Sequence, residues 1–256
     1  MAAVRVLLLL TCAAWRGAAF ALAPVATPRA VSRRAAAKSW PRRRVVRGAA
    51  EVEAAAAATP KGRALAEKLK NVNVILVGMM GSGKSSVGEG VSRRLGSYAF
   101  VDTDATVEAA AGRSVADIFD AEGEAGFREA ETAVVEQVTA FVRLVIATGG
   151  GVVTTQKNWA SLRTGIVVFL DAPVDVLVGR LTAAGEVEKR PLLAGAEDLA
   201  ADLAAKLKDR RALYAQADVA VAVRPDDDND AVVDRVLDDV LAFIVANPPK
   251  TEPPPP

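Results

Sequence analysis

The chain has 256 residues, of which 51% are hydrophobic and 25% charged, so it is long enough for one globular domain with additional sequence at its ends. Its net charge of +1 combines two different parts: residues 1–50 contain ten Lys or Arg and no acid, whereas residues 51–256 carry a net charge of −9. An acidic body excludes nucleic acid as an expected partner.

Residues 1–19 have the build of a secretory signal peptide. Arg5 precedes an apolar run that ends near Trp15 and is too short to span a bilayer comfortably, and small residues follow before Phe20. Residues 20–60 are rich in Ala, Arg and Ser and nearly free of acids, which is typical of a transit peptide or linker. We therefore expect a removable two-part leader, and the alternative is a plain secreted protein with a basic linker.

The junction between the two parts, AAFALAP, resembles that of the two-part plastid-targeting sequences of algae with complex red plastids. That resemblance implies delivery to the plastid stroma and no membrane association of the mature form. At the other end, residues 248–256 are rich in proline and are expected to form an extended, disordered tail. Residues 61–247 remain as the folded domain.

The composition restricts the chemistry further. The single cysteine, Cys12, lies in the leader, so a mature protein without it can have neither a disulfide nor a catalytic thiol. The chain also contains no histidine. Any proton transfer must therefore use a carboxylate, Lys, Tyr or water.

Short apolar, β-rich runs alternate with helical patterns along the body of the chain. Strands are predicted at 73–78, 99–104, 144–150, 165–171 and 219–224, and helices at 84–95, about 124–142, 174–181, 197–214 and 231–245. This alternation predicts an α/β domain whose parallel sheet is covered on both faces.

Local patterns add detail to the region before the third strand. Ser114 followed by Asp117 has the spacing of a capping box at a helix start. In the next helix, apolar residues at helical spacing predict one buried stripe, formed by Phe127, Ala130, Val134, Val138 and Phe141. Arg128 stands about 100° from that stripe, where an arginine is most often only a solvated charge.

The segment GMMGSGKSS joins the first predicted strand to the next helix and has the pattern G-x-x-x-x-G-K-S of a phosphate-binding loop. Backbone N–H groups of such a loop wrap phosphates, and the helix N-terminus adds positive potential. Lys84 is expected to reach the β- and γ-phosphates, and the Ser85 hydroxyl to be a Mg²⁺ ligand. The predicted phosphate-binding residues of the loop are Gly78, Gly81, Ser82, Gly83, Lys84, Ser85 and Ser86. The loop predicts ATP or GTP binding and leaves the acceptor open.

Two further motifs follow predicted strands. In VDTDATVEAAAGRSVADIF, strand alternation would direct Asp102 and Asp104 to the same side, at the sheet edge where ligands bind, although solvated loop acids are the simpler alternative. In ATGGGVV, bare backbone at Gly149, Gly150 and Gly151 could approach a ligand closely, although a simple turn explains the glycines nearly as well.

Taken in order, GMMGSGKSS, VDTDATVEAAAGRSVADIF, GEAGFRE, TGGG, RPLL and the R-x-x-x-Y of RRALY resemble the motifs of shikimate kinase, over about residues 73–214. The resemblance implies a P-loop, nucleoside-monophosphate-kinase-like fold, with a five-stranded parallel sheet flanked by helices. It implies ATP-dependent phosphorylation of the 3-hydroxyl of shikimate with Mg²⁺, a step toward aromatic amino acids. An acceptor-binding region at about 105–128 and a lid at about 182–196 are also implied.

The resemblance assigns roles to the acidic residues and to the substrate-binding arginines. Asp104 would bind the acceptor hydroxyls as the candidate base, and Asp102 would help hold Mg²⁺ through water. Arg128 and Arg210 would bind the shikimate carboxylate, because a guanidinium meets a carboxylate with two charge-assisted hydrogen bonds. Arg211 is the alternative to Arg210, since the choice depends only on spacing to the tyrosine.

Further roles concern the nucleotide and the glycines. Arg190 would lie over the transferring phosphoryl group as part of the lid, and Arg180 would stack near the adenine. Gly149 and Gly150 would border the acceptor, with the N–H of Gly150 assisting the carboxylate contact. Lys84, Asp104 and Arg190 are thus the predicted catalytic residues.

Other readings stay open at this point. A gluconate or nucleotide kinase would share the loop but not DTD followed by GRSVADIF, and a GTPase switch would need an N-K-x-D motif, which is absent. A non-catalytic, shikimate-kinase-like plastid binding protein would be expected to lack the lysine, the aspartates or the arginines. We expect shikimate and ATP as partners and a monomeric mature chain.

Overall fold

A computed structural model of the chain describes residues 58–183, 185, 193 and 198–248. The helices in this part are α1 (Pro60–Leu69), α2 (Lys84–Leu95), α3 (Thr103–Ala111), α4 (Val115–Thr139), α5 (Asn158–Leu162), α6 (Val174–Ala183), α7 (Leu199–Tyr214) and α8 (Asn229–Ala246), with a 3₁₀ turn at Val152–Thr154. The strands are β1 (Val74–Val77), β2 (Ala99–Asp102), β3 (Leu144–Ala147), β4 (Ile166–Asp171) and β5 (Val219–Ala222). Each predicted strand and helix is present, with shifted ends.

The five strands of the described region form one parallel sheet in the order β2-β3-β1-β4-β5. β1 lies in the centre and is buried at every position, as are all but the last residue of β4, because helices cover both faces. The edge strand β5 instead alternates between buried and exposed residues. This arrangement places the ends of β1, β2 and β3 at one edge of the sheet, where the loops carrying the predicted site residues begin.

The folded domain begins before the predicted boundary between residues 60 and 61. α1 starts at Pro60, and its N-cap is Thr59, whose hydroxyl accepts a 3.0 Å hydrogen bond from the N–H of Gly62. The N–H of Thr59 donates to the carbonyl of Arg94 at the end of α2, and Gly62 packs so tightly on that carbonyl that a Cβ would collide with it. Thr59 and Pro60 therefore belong to the domain and not to the leader.

The helical region between β2 and β3 is longer than the sequence predicted. α3 follows β2 directly, and α4 begins at the predicted capping box, in which Ser114 and Asp117 bond reciprocally. Gly123 has non-helical dihedral angles (φ 70°, ψ −176°) and breaks α4 just before the predicted start at 124. The predicted stripe is buried at Phe127, Val134 and Val138, whereas Phe141 lies beyond the helix end and is 46% exposed, so its inclusion was wrong.

Several predictions concern residues outside the described part of the chain. These are the leader as far as residue 57, most of the lid at 182–196 including Arg190, and the tail after residue 248. Within the described residues, none of the helices is both long and apolar enough to cross a membrane.

Candidate active site

The phosphate-binding loop leaves the centre of the sheet at the end of β1. Gly78, Gly81 and Gly83 have φ angles of 148°, 81° and 92°, which residues other than glycine rarely adopt. Lys84 opens α2 and is buried, and its ammonium donates to the carbonyl oxygens of Gly78 (2.8 Å) and Met79 (2.9 Å). The lysine is thus folded back over a loop that the sequence had correctly placed between a strand and a helix.

Two further groups border this loop. The Ser82 hydroxyl is fully buried and has no hydrogen-bond partner among the described residues. Arg180, on α6, donates from Nη1 to the carbonyl of Ser82 at 3.2 Å, and the same nitrogen would lie 3.1 Å from a Cβ at Gly83. Arg180 therefore reaches the phosphate loop from α6, and its role near the adenine stays a prediction. Ser86 contributes a backbone contact, because its carbonyl accepts from Asn229 at 3.3 Å.

Ser85, in the first turn of α2, lies beside Asp102, which ends β2 and caps α3. Oδ2 of Asp102 accepts a 2.6 Å hydrogen bond from the Ser85 hydroxyl, while Oδ1 caps α3 by accepting from the N–H groups of Asp104 and Ala105. Hydroxyl and carboxylate oxygens are the donors that Mg²⁺ prefers, and this ion usually takes only one or two protein ligands beside substrate phosphates. The pair therefore fits the predicted metal position.

The predicted reason for pairing Asp102 with Asp104 was wrong. β2 ends at Asp102, so strand alternation does not reach Asp104, which sits in the first turn of α3. Instead, the helix start turns Asp104 toward the loop after β3. A Cβ built on Gly149 would be only 2.6 Å from Oδ1 of Asp104, and the N–H of Gly149 donates to the neighbouring Thr103 hydroxyl at 3.1 Å.

Close packing explains the three glycines after β3, which also form a turn closed by a 3.2 Å hydrogen bond from the N–H of Val152 to the carbonyl of Gly149. None of Gly149, Gly150 and Gly151 has a positive φ angle, so their conformation is open to other residues. A Cβ at Gly149 would meet the carboxylates of Asp104 and Glu131, and one at Gly151 would collide with the guanidinium of Arg128. The turn alone therefore does not require glycine: charged groups lie where side chains at Gly149 and Gly151 would be, and the N–H nitrogen of Met80 lies 3.1 Å from a Cβ at Gly150.

Arg128 and Glu131 form an ion pair inside the site. Nη1 of Arg128 lies 2.7 Å from Oε2 of Glu131, and the two side chains are 13% and 0% exposed; a second acid, Glu124, contacts Nη2 at 3.0 Å. Burial raises the pKa of Glu131, with Asp104 adding to the rise, although Arg128 opposes it. Burial opposes the charge of Arg128 as well, but the two glutamates outweigh it and raise the pKa of the guanidinium.

The structure distinguishes between the two neighbouring arginines of α7. Nη1 of Arg210 donates to the carbonyl of Gly150 at 3.3 Å, so this side chain faces the glycine loop. Arg211 points elsewhere, because its Nη2 pairs with Asp171 at 2.7 Å and its side chain is 59% exposed. Arg210 is therefore the arginine that joins the site.

The sequence did not lead to the prediction that Glu131 is the buried ion-pair partner of Arg128. The missed signal was an acid at a buried helical position, since Glu131 falls between Phe127 and Val134 on the predicted stripe. Thr103 was also missed, because its role depends on a backbone group that is distant in sequence. Of the predicted site residues, the described ones meet at one edge of the sheet, and Arg190 lies outside the described part.

The fold and these loops define a P-loop kinase of small molecules, with the phosphate loop and a charged acceptor pocket at the same sheet edge. The family model for shikimate kinase matches residues 80–241. A shikimate kinase of Gloeobacter violaceus is 51% identical over 60% of this chain and 85% of its own, and one of Synechococcus elongatus is 41% identical over 74% and 96%. The structure of an Acinetobacter baumannii shikimate kinase in complex with shikimate matches with a TM-score of 0.63 and 34% identity, over 73% of this chain and 99% of that one.

The chain therefore belongs to the shikimate kinase family, and it is an enzyme of the ATP-dependent phosphotransferase class. The fold expected from the sequence motifs is confirmed, including the five-stranded parallel sheet.

The buried ion pair predicts a difference between two glutamates that contact the same arginine. Glu131→Ala should lower the free energy of unfolding by roughly 3–5 kcal/mol, because it leaves Arg128 without its buried counter-charge. Glu124→Ala is the matched control and should cost less than about 1 kcal/mol, because the Glu124 side chain is 52% exposed. Urea denaturation followed by circular dichroism measures both, and equal losses would contradict the assignment.

Proposed function

We propose that the chain transfers the γ-phosphoryl group of ATP to the 3-hydroxyl of shikimate, giving shikimate 3-phosphate for aromatic amino acid synthesis. One observation carries the proposal: Asp104 and Arg128 converge on the glycine loop beside the phosphate loop, within a chain of the shikimate kinase family. A non-catalytic relative would be expected to lack the lysine, the aspartates or the arginines, and Lys84, Asp102 and Asp104 are retained.

The acceptor side is built for a polyhydroxylated carboxylate. Arg128 and Arg210 flank the glycine loop from α4 and α7 and supply the guanidinium groups for the substrate carboxylate. Asp104 lies beside Gly149, two residues along the loop from the Gly151 that contacts Arg128, and accepts or orients the proton of the reacting hydroxyl. The chain has no histidine for this role, and Asp104 is the carboxylate that the family motif assigns to it.

The phosphate side depends mainly on positioning and on charge. Lys84 and the loop N–H groups hold the β- and γ-phosphates, and Arg180 approaches the same loop from α6. Ser85 and Asp102 would hold Mg²⁺, which supplies charge neutralisation at the phosphates when it is bound. In such a transfer the protein does little covalent chemistry, and its rate enhancement comes from orientation and electrostatics.

Substrate-dependent turnover tests the function, and Asp104→Asn tests the candidate base. The purified protein should consume ATP with shikimate but not with gluconate or nucleoside monophosphates.

Asp104→Asn should lower kcat by about 10²-fold or more, because the substrate hydroxyl loses the carboxylate that takes its proton. The KM for ATP should change little, because the nucleotide site is untouched. Asp226→Asn, at an exposed acid away from the site, is the control. ATP consumption that shikimate does not stimulate would refute the function, whereas full activity of Asp104→Asn would refute only the base.

The neighbouring arginines of α7 offer a second matched pair. Arg210→Ala should weaken shikimate binding by roughly 2–5 kcal/mol, because it removes one partner of a desolvated ion pair with the substrate carboxylate. Arg211→Ala should change binding by less than about 1 kcal/mol, since this exposed side chain pairs with Asp171. Calorimetric titration with shikimate measures both constants. A larger effect at Arg211 would reverse the assignment.

We also propose delivery to the plastid stroma through the two-part leader. Support comes from the signal-like residues 1–19 and from the basic, nearly acid-free stretch after Phe20. A fluorescent protein fused to residues 1–57 should enter the plastid of an alga with complex red plastids, and Phe20→Ala should leave it outside. Secretion of the unaltered fusion would favour the plain signal peptide instead.

A further inference from the structure

The side chain of Tyr214 lies beneath both loops of the site. It is the last residue of α7 and is fully buried, and its ring stacks on Phe169 of β4 at a centroid distance of 5.0 Å and an angle of 10°. Its hydroxyl donates a 2.5 Å hydrogen bond to the carbonyl of Gly150 and lies 3.8 Å from the sulfur of Met79 in the phosphate loop. One hydroxyl thus contacts the glycine loop and the phosphate loop together.

The Gly150 carbonyl is held mainly by this tyrosine. Arg210, one turn earlier on α7, donates to the same oxygen at the longer distance of 3.3 Å. Because a trans peptide is planar, the carbonyl of Gly150 and the N–H of Gly151 point in opposite directions, so fixing one fixes the other. A peptide between two glycines has little intrinsic preference for one orientation, since neither residue has a Cβ. The orientation must therefore be imposed from outside, and Tyr214 is placed to do so.

Two N–H groups of this loop are not used within the described part of the chain. The N–H of Gly149 donates to Thr103, but those of Gly150 and Gly151 donate to no acceptor in that part. Gly151 lies beside the guanidinium of Arg128, and the carbonyl of Gly150 accepts from Arg210. Free backbone donors next to two cations suit the carboxylate of the acceptor.

We propose that Tyr214 is a positioning residue for the acceptor: its hydroxyl sets the Gly150–Gly151 peptide, and so the loop N–H groups and Arg210, in the orientation that receives the substrate carboxylate. The inference rests on the proposed function. Without the hydroxyl, the carbonyl keeps only the longer bond from Arg210, so the orientation of the peptide is held less firmly. Burial raises the pKa of Tyr214 to about 12, so the hydroxyl remains a donor at neutral pH.

Tyr214→Phe tests the proposal because it keeps the ring, and hence the stacking on Phe169, and removes only the hydroxyl. We expect the KM for shikimate to rise about three- to tenfold, the effect of one lost hydrogen bond, while the KM for ATP and kcat change less than about twofold. Tyr98→Phe is the matched control, because Tyr98 is the other of the two tyrosines in the chain and is also buried. Its hydroxyl has no partner among the described residues, and it lies before β2 at the opposite sheet edge, so neither KM should change.

The split between the two KM values separates positioning from a structural role. A merely structural hydroxyl would lower the melting temperature and leave both KM values unchanged, or raise both together, and either result would overturn the proposal. Wild-type protein that turns over shikimate while Tyr214→Phe behaves identically would also overturn it, with the proposed function intact. A wild type inactive toward shikimate would instead refute the function.

A second experiment keeps the tyrosine's shape and covers the case in which Tyr214→Phe does not fold. In the Tyr98→Phe background Tyr214 is the only tyrosine, so growth on a fluorinated tyrosine labels this position alone. The fluorinated hydroxyl loses its proton at a lower pH, so the KM for shikimate should rise with pH in the labelled enzyme more than in the unlabelled one. Identical pH profiles would show that the hydroxyl proton does not position the acceptor site.

Discussion

The site depends on one steric constraint: the backbone after β3 carries no side chains for three residues. At Gly149 and Gly151 a Cβ would occupy the space taken by charged groups from α3 and α4, and at Gly150 it would lie 3.1 Å from the N–H nitrogen of Met80 in the phosphate loop. Any side chain here would separate the acceptor groups from the phosphate loop. The bare loop thus allows an acid, an arginine and a nucleotide-binding backbone to meet within contact distance.

Bringing charged side chains together in a buried site costs desolvation free energy, and the pairing of Arg128 with Glu131 offsets this cost. Arg128 would be expensive to bury alone, but Glu131 is buried against it and keeps its guanidinium charged and in place. Asp104 faces the same acid, and their repulsion contributes to the raised pKa of Glu131. The arrangement is therefore preorganised before the acceptor arrives, which is how positioned charges contribute most to phosphoryl transfer.

α7 connects this electrostatic arrangement to the sheet. Its last turn carries Arg210 toward the glycine loop, while Tyr214 is packed on Phe169 of β4. Arg210 is half-exposed and Tyr214 is fully buried. The packing of Tyr214 on Phe169 therefore lies beneath the contact of Arg210 with the glycine loop. A helix that follows the region of the predicted lid is in this way attached to the two loops of the active site.

For the aspartate pair, the sequence located the residues correctly, but only the structure gave the reason for their placement. The motif identified Asp102 and Asp104 correctly as neighbours at the sheet edge, but strand alternation was the wrong reason, since β2 stops at Asp102 and a helix begins. Helix starts so close to a strand end depend on capping, here by the Asp102 side chain itself. The same holds for Phe141, whose predicted burial required the helix to extend past Thr139.

The sequence by itself determined the alternation of strands and helices, the phosphate loop and the family, because these depend on local periodicity and on ordered motifs. The tertiary structure alone decided that Glu131 is the buried partner of Arg128, that Arg210 and not Arg211 faces the loop, and that the three glycines serve close packing. Each of these depends on contacts between residues distant in sequence or on the rotation of a helix about its axis. No local pattern records which face of a helix meets a loop from another part of the chain, so these facts follow only from packing.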